Sequence, residues 1–330
     1  MNFFLQLFKL LPPEAAHSFS LKSLKILYKL RLLRYFVGFN TKHNNEIEFA
    51  GMVFKNRLGT AAGLDKNGDY IDALGELGFG FLEVGTVTPL PQNGNAKPRV
   101  FRNYKENSII NRLGFNNKGV EYLIKNIQKR KYEGILGVNI GANKNSSGNQ
   151  RILDYITCLE KVYKYANYIT INISSPNTPD LRDLHMKDNL TNLINAVDKA
   201  VEDLKINIPI FLKISPDETN ESLDIIISLI NSSTITGVIA TNTTINKSNI
   251  LSNDFKMING GLSGEKLMDA STKKLSYIKS KSEGMPIIGV GGVLSKKDFK
   301  KKIEAGADLI QVYTGFIIKG PNLIKDILNS

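Results

Sequence analysis

Tryptophan is absent from the chain, cysteine occurs once and histidine three times among 330 residues. The lone thiol, Cys158, excludes a disulfide framework and any metal site built on several cysteines. His17, His43 and His185 are far apart and follow no ligand spacing, so no metal is expected. No uninterrupted apolar run approaches the ~18 residues of a membrane-spanning helix. The N-terminal apolar stretch is interrupted by Lys9 and preceded by no cation, so it does not read as a secretory signal. Acidic side chains are in deficit, 31 against 43 Lys and Arg, for a formal charge of +12. Such an excess suits nucleic acid, anionic lipid or an anionic small molecule. Lys296, Lys297, Lys300, Lys301 and Lys302 lie along one helix and read as solvated surface.

What is present begins with a Leu-, Phe- and Lys-rich segment over residues 1–40. After Pro12 and Pro13, Glu14 suits the start of a helix, where its charge meets the positive end of the dipole. Leu21, Leu24, Tyr28, Leu32 and Tyr35 recur on one helical face, and Lys22, Lys25 and Lys29 on another. Arg31 falls near the apolar face, where its long stem can snorkel. Residues 1–37 therefore read either as a basic amphipathic hairpin on a membrane surface or as two helices packed on the downstream domain.

Residues 47–56 read as a hairpin turning at Gly51. From there, short apolar, β-branched runs alternate with helical patterns to the end of the chain. The strands are expected at 57–60, 80–84, 135–140, 168–173, 209–214, 237–240, 286–290 and 309–313. Their lack of polar alternation fits strands buried on both faces. Eight strand–helix units predict an α/β fold, a (β/α)8 TIM barrel over 41–330 with the helical extension 1–40 in front of it. A doubly wound open sheet is the alternative.

Chemistry in such barrels gathers at the carboxyl ends of the strands. Those positions carry Ala61-Ala62-Gly63-Leu64-Asp65-Lys66, Gly85-Thr86, Asn139, Asn172-Ser175-Asn177, Thr241-Asn242-Thr243-Thr244 and Tyr313-Thr314-Gly315. Lys213 stands inside an apolar strand, where an unpaired ammonium is costly, so it should face a ligand or an acid. Ser263-Gly264, Gly291-Gly292 and Tyr313-Thr314-Gly315 suit the usual barrel phosphate site of backbone N–H groups. The long excursion after the second strand carries Asn111-Arg112-Leu113-Gly114-Phe115-Asn116-Asn117, amides and an exposed backbone suited to a small polar ring.

AAGLDK at 61–66, NRLGFNN at 111–117, NISSPNT at 172–178, ATNTT at 240–244, GGLSG at 260–264, GVGG at 289–292 and YTGFIIKGP at 313–321 together resemble the dihydroorotate dehydrogenase family, in family order. Soluble-acceptor members carry a cysteine base in an active-site loop. Ser175 stands at that place here, and the extension with Glu14-Ala15-Ala16-His17 is similar to the quinone-dependent, membrane-associated class 2 members. The resemblance implies an FMN-containing barrel that oxidises dihydroorotate to orotate in de novo pyrimidine biosynthesis and reduces a membrane quinone. It implies a peripheral position on the cytoplasmic face of the cell membrane if the source is bacterial, contact with anionic lipid through residues 1–37, and no nucleic-acid partner.

Carried over by position, the resemblance implies that Ala62, Gly63, Thr86, Asn139, Asn172, Lys213, Thr241, Gly264, Gly292, Tyr313 and Thr314 bind FMN. Lys66, Asn111, Arg112, Leu113, Gly114, Phe115, Asn172, Asn177, Asn242 and Thr243 would hold the substrate. Ser175 would be the base, with Thr178 as its helper. His17, Arg102 and Tyr313 would lie near the quinone. Three rivals remain at this level. A flavin barrel acting on transfer RNA would need a cysteine acid and an RNA-binding domain. A class 1 dehydrogenase would lack the N-terminal extension. A phosphate-binding barrel without redox chemistry would be colourless.

Overall fold

The computed structural model describes residues 11–33, 35, 46–177, 181, 184, 186–282 and 284–329. Its strands, in chain order, are β1 (Ile47–Phe49), β2 (Met52–Phe54), β3 (Leu58–Thr60), β4 (Phe81–Val87), β5 (Val100–Asn103), β6 (Ser108–Asn111), β7 (Ile135–Ile140), β8 (Tyr168–Asn172), β9 (Ile210–Ile214), β10 (Gly237–Ala240), β11 (Gly261–Gly264), β12 (Ile287–Val290) and β13 (Leu309–Val312). Eight of them form one closed, parallel barrel in the order β3-β4-β7-β8-β9-β10-β12-β13. The last strand pairs with the first, Ile310 opposite Leu58, which excludes the open sheet. The fold is the expected (β/α)8 barrel. Every residue of these eight strands is buried except Ile135, as expected of a sheet covered on both faces.

The amino end of the barrel is plugged. Ala50 (φ 50°) and Gly51 (φ 73°) both take left-handed backbone and turn β1 tightly into β2. The hairpin thereby presents Phe49 and Phe54 to the barrel floor. Phe49 stacks on Phe211 with ring centroids 5.7 Å apart, and Phe54 meets Phe81 edge-on at 5.3 Å. With this end filled by aromatic rings, space for a ligand remains at the other.

A three-stranded antiparallel sheet, β5-β6-β11, stands beside that other end. In sequence alone, residues 107–119 read as loop and Ser263-Gly264 as part of a phosphate-binding site. Instead Gly261 pairs with Asn111 and Gly264 with Ser108. The partners are remote in sequence, so no local periodicity announces them. The chain closes on the helix Asn322–Leu328, and a separate short helix, Thr314–Lys319, precedes it, broken off where Gly320 takes φ 61° ahead of Pro321.

The helix Pro13–Lys29 packs Leu21, Leu24, Leu27 and Tyr28 on the barrel core. It ends before Leu32 and Tyr35, because Arg31 turns the chain at φ 58°. Lys25, expected on a solvated face, donates to the Asp69 carbonyl at 2.7 Å. Lys22 and Lys29 stay exposed, interleaved with exposed Phe19, Ile26 and Leu30. Residues 1–10, where an N-terminal partner helix was expected, lie outside the described residues, as do residues 36–45 with His43, and His185. No helix among the described residues is long and apolar enough to cross a membrane. One lysine of the 296–302 run departs from expectation: Lys302 is 0% exposed, turned inward from the helix Lys296–Glu304.

Candidate active site

The carboxyl ends of the barrel strands surround a cavity. Its walls include Ala62, Gly63, Thr86, Asn172, Lys213, Thr241, Gly264, Gly292, Tyr313 and Thr314 on the side assigned to a cofactor. Lys66, Asn111, Leu113, Gly114, Phe115, Asn172, Ser175, Asn177, Asn242 and Thr243 line it as well. Two of the expected residues do not. Asn139 sits one layer deeper, where it accepts from Thr86 Oγ1 at 2.6 Å and donates to Glu83 at 2.8 Å. Arg112 turns its guanidinium outward to the Pro98 carbonyl at 2.9 Å and over the Phe101 ring. Its backbone, not its side chain, faces the neighbouring loop.

The floor of the cavity is a buried polar network. Glu83, 1% exposed, accepts from Asn139, from Tyr168 Oη at 2.9 Å, from Thr170 Oγ1 at 3.2 Å and from Gln311 Nε2 at 2.6 Å. These donors hold a carboxylate that would otherwise be very costly inside a barrel. Lys213 is 5% exposed. Burial pushes its ammonium down from the usual lysine range, and the Glu83 charge opposes that shift. The lysine lines the cavity, and Glu83 is the acid whose charge acts on it. Gln311 Oε1 is buried without a partner among the described residues. Neither Glu83 nor Gln311 was marked in the sequence; a lone acid or amide in an apolar strand was the available signal.

The polar wall is a relay of amides. Asn172 donates to Thr86 Oγ1 at 3.0 Å, and its carbonyl accepts from the buried Tyr155 hydroxyl at 2.7 Å. Asn242 donates to Ser174 Oγ at 3.0 Å, and Asn177 to Asn111 Oδ1 at 3.4 Å. Ser175 is 6% exposed and accepts from its neighbour's Asn177 N–H at 3.3 Å. Thr178 and Pro179, which continue this loop, lie outside the described residues. Cys158 is fully buried in the helix Gly148–Val162, and burial raises its thiol far above the usual range. It has no access to the cavity.

At the opposite wall, Gly291 (φ 113°) and Gly292 (φ 83°) form a turn that only glycine fits. A Cβ on Gly292 would run into the Met268 backbone. The N–H groups of both have no acceptor among the described residues. Thr314 Oγ1 meets Ser263 Oγ at 2.8 Å beside them. Backbone donors, glycines and hydroxyls make an anion cradle there.

A second, more apolar cavity lies under the helix Pro13–Lys29. His17, Arg102 and Tyr313, expected near a quinone, all line it, with Leu21, Leu24, Leu27 and Ile317. Burial and the Lys66 charge hold the His17 imidazole down to about 4, so it is neutral near pH 7. Lys66, Leu113 and Tyr313 line both cavities and form the partition between them. Burial pushes Tyr313 up to about 12 and Lys66 down to about 8, the nearby Arg99 charge adding to the latter.

Fold and site define a (β/α)8 barrel enzyme with a polar cavity at the strands' carboxyl ends and a separate apolar cavity behind it. Residues 45–330 match the family model for dihydroorotate dehydrogenase. A dihydroorotate dehydrogenase (quinone) of Saccharophagus degradans is 47% identical over 325 residues, covering 97% of this chain and 95% of the relative. One from Legionella pneumophila (strain Corby) is 46% identical over 328 residues, with 97% and 95% covered. The crystal structure of the Eimeria tenella enzyme in complex with ferulenol superposes with a TM-score of 0.86 at 33% identity, covering 96% of this chain and 89% of that one. The chain belongs to the dihydroorotate dehydrogenase family, a family of flavin-dependent oxidoreductases, and groups with its class 2 members.

Proposed function

We propose that this chain oxidises dihydroorotate to orotate with FMN as the bound flavin and passes the electrons to a membrane quinone, in pyrimidine biosynthesis. The observation that carries the reading is the shared partition. One polar cavity and one apolar cavity touch through Tyr313, Lys66 and Leu113. Two substrates of opposite polarity can thus approach the same cofactor from two sides.

The polar cavity's residues fit FMN. The Gly291–Gly292 turn, Gly264 and Thr314 offer donors for a phosphate, and Lys213 and Thr86 line the same cavity for the ring. Asn139 would act by fixing Thr86 rather than by touching the ring. Thr241 and Asn172 complete this set, with Ala62 and Gly63 leaving room for a flat ligand. The flavin supplies a two-electron acceptor for the hydride that dihydroorotate loses. The protein does the rest. Ser175 takes the ring proton, a task in which a hydroxyl needs a relaying partner, for which Thr178 is the nearest by sequence. Asn111, Asn177, Asn242 and Thr243 match a ring with both imide donors and carbonyl acceptors. Lys66 meets the substrate carboxylate, Leu113, Gly114 and Phe115 close over it, and Arg112 contributes through its backbone. The amide relay excludes bulk water from this face and keeps each donor aimed.

Residues 1–40 form a quinone-admitting extension and 41–330 the catalytic barrel. The exposed Phe19, Ile26 and Leu30 with exposed Lys22 and Lys29 support peripheral contact with an anionic membrane surface, and Phe19 and Ile26 are also among the apolar residues at the second cavity. His17, Arg102 and Tyr313 face the arriving quinone. The test is spectroscopic. Purified protein should be yellow and should bleach when dihydroorotate is added without oxygen; colourless protein, or colour that dihydroorotate leaves unchanged, contradicts the proposal.

A further inference from the structure

Lys302 is fully buried, and nothing in the reaction above uses it. Lysine stems usually carry their ammonium out to water. This one points inward, and its Nζ donates at 2.6 Å to Ser271 Oγ, on the facing helix Met268–Lys281. No other hydrogen bond and no ion pair reaches it among the described residues. The nearest acid on that helix, Asp269, is taken by Lys301 at 2.9 Å. Two neighbouring elements, β12 (IIGV) and β13 (LIQV), carry no ionisable side chain. The helix Asn322–Leu328 contributes Lys325 and Asp326, and Asp326 accepts the Lys296 N–H at 3.0 Å. Lys302 is a buried cation short of both acceptors and counter-charge. Burial, with the Lys301 charge beside it, pushes its ammonium down to about 7, against the weaker pull of Asp269.

What Lys302 holds indicates where the missing charge comes from. Ser271 Oγ has one hydrogen, which faces the carbonyls of Leu267 at 2.9 Å, Met268 at 3.0 Å and Gly291 at 3.1 Å. Gly291 opens the turn whose N–H groups have no acceptor among the described residues. A Cβ on Gly291 would come within 2.9 Å of Ser271 Oγ, so serine and turn are in direct contact. Lys302 and Ser271 thus back the cradle from behind.

We propose that Lys302 is a positioning residue for the cofactor phosphate: through Ser271 it fixes the Gly291–Gly292 turn, and its charge is balanced when a phosphate monoester occupies that turn. The proposal rests on the FMN reading above. Its test compares FMN with riboflavin, which differ by the phosphate alone, on the full chain stripped of flavin and titrated by fluorescence. Wild type should prefer FMN strongly. Lys302→Met should cut that preference by about tenfold to a hundredfold, the scale of one lost charge-assisted interaction, with riboflavin affinity retained. Ser271→Ala should shift it the same way. Equal loss for both flavins means a purely structural role and overturns the proposal, as does no loss for either. A wild type with no preference for FMN fails the FMN reading itself, and this inference with it. Should both variants fail to fold, calorimetry of wild type at pH 8 in buffers of different ionisation heat decides. Proton uptake on binding FMN but not riboflavin is expected, because Lys213 and Lys66 face the ring and the substrate, which both flavins share. Equal uptake for the two flavins, or none, overturns the proposal.

Discussion

Asn95 Nδ2 lies 3.2 Å from the Asn177 carbonyl and 3.0 Å from that of Arg112, so one amide clasps the two loops that close the substrate cavity. Its Oδ1 accepts from Lys144 Nζ at 2.9 Å, which fixes the orientation of the amide. Asn95 itself is not part of the cavity wall. Asn95→Ala should raise the KM for dihydroorotate about tenfold while the flavin stays bound, since loop position and not cofactor contact is lost. Steady-state kinetics with a soluble dye checks this; an unchanged KM would remove Asn95 from the role.

Arg99 fastens the N-terminal helix to the barrel. Its Nε and Nη2 both reach Glu14 Oε1, at 3.1 and 2.9 Å, and its Nη1 donates to the Asn95 carbonyl at 2.9 Å. Arg99 is 7% exposed at its side chain and Glu14 28%. Glu14→Gln should therefore cost about 1–3 kcal/mol, between the values for surface and for broken buried pairs. Arg99→Met should cost more, because the Asn93 and Asn95 carbonyls also lose their donor. Urea midpoints give both numbers, and quinone reduction should fall further than dye reduction in each variant.

Ser175→Ala should leave the flavin spectrum intact and slow flavin reduction by about a hundredfold to ten-thousandfold, the range for a lost general base. Stopped-flow reduction by dihydroorotate is the measurement. A rate equal to wild type would place the base elsewhere.

Burial holds the Lys66 ammonium down to about 8, below its ordinary value. An unfolded chain then holds more protons than the folded one between about pH 8 and the ordinary lysine range. That group's contribution to stability therefore rises with pH across this window. Binding has the opposite sign: the substrate carboxylate wants the protonated amine, so the KM for dihydroorotate should rise as pH passes through about 8. In Lys66→Met the KM should be high and flat over the same window. A wild-type KM independent of pH from 7 to 9 would count against the pairing.

The barrel was legible because each of its strands is a short apolar run whose chemistry suits burial on both faces, as at Ile210–Ile214 and Tyr168–Asn172. The β5-β6-β11 sheet was not, since Gly261–Gly264 has no strand pattern and pairs with a segment far away in the chain. Lys213 stood out by contrast with apolar neighbours. Lys302 did not, because a lysine among lysines looks solvated, and only the facing of the helix turns it inward. Asn95 and Tyr155 act through backbone carbonyls of site residues, a role that residue type alone does not announce.

The shared wall at Tyr313 makes the most direct claim about how electrons leave. A chain lacking residues 1–37, loaded with flavin, should bleach with dihydroorotate and reduce a water-soluble dye at close to the full-length rate, yet fail to reduce a quinone analogue. Quinone turnover equal to that of the full-length chain would contradict the account.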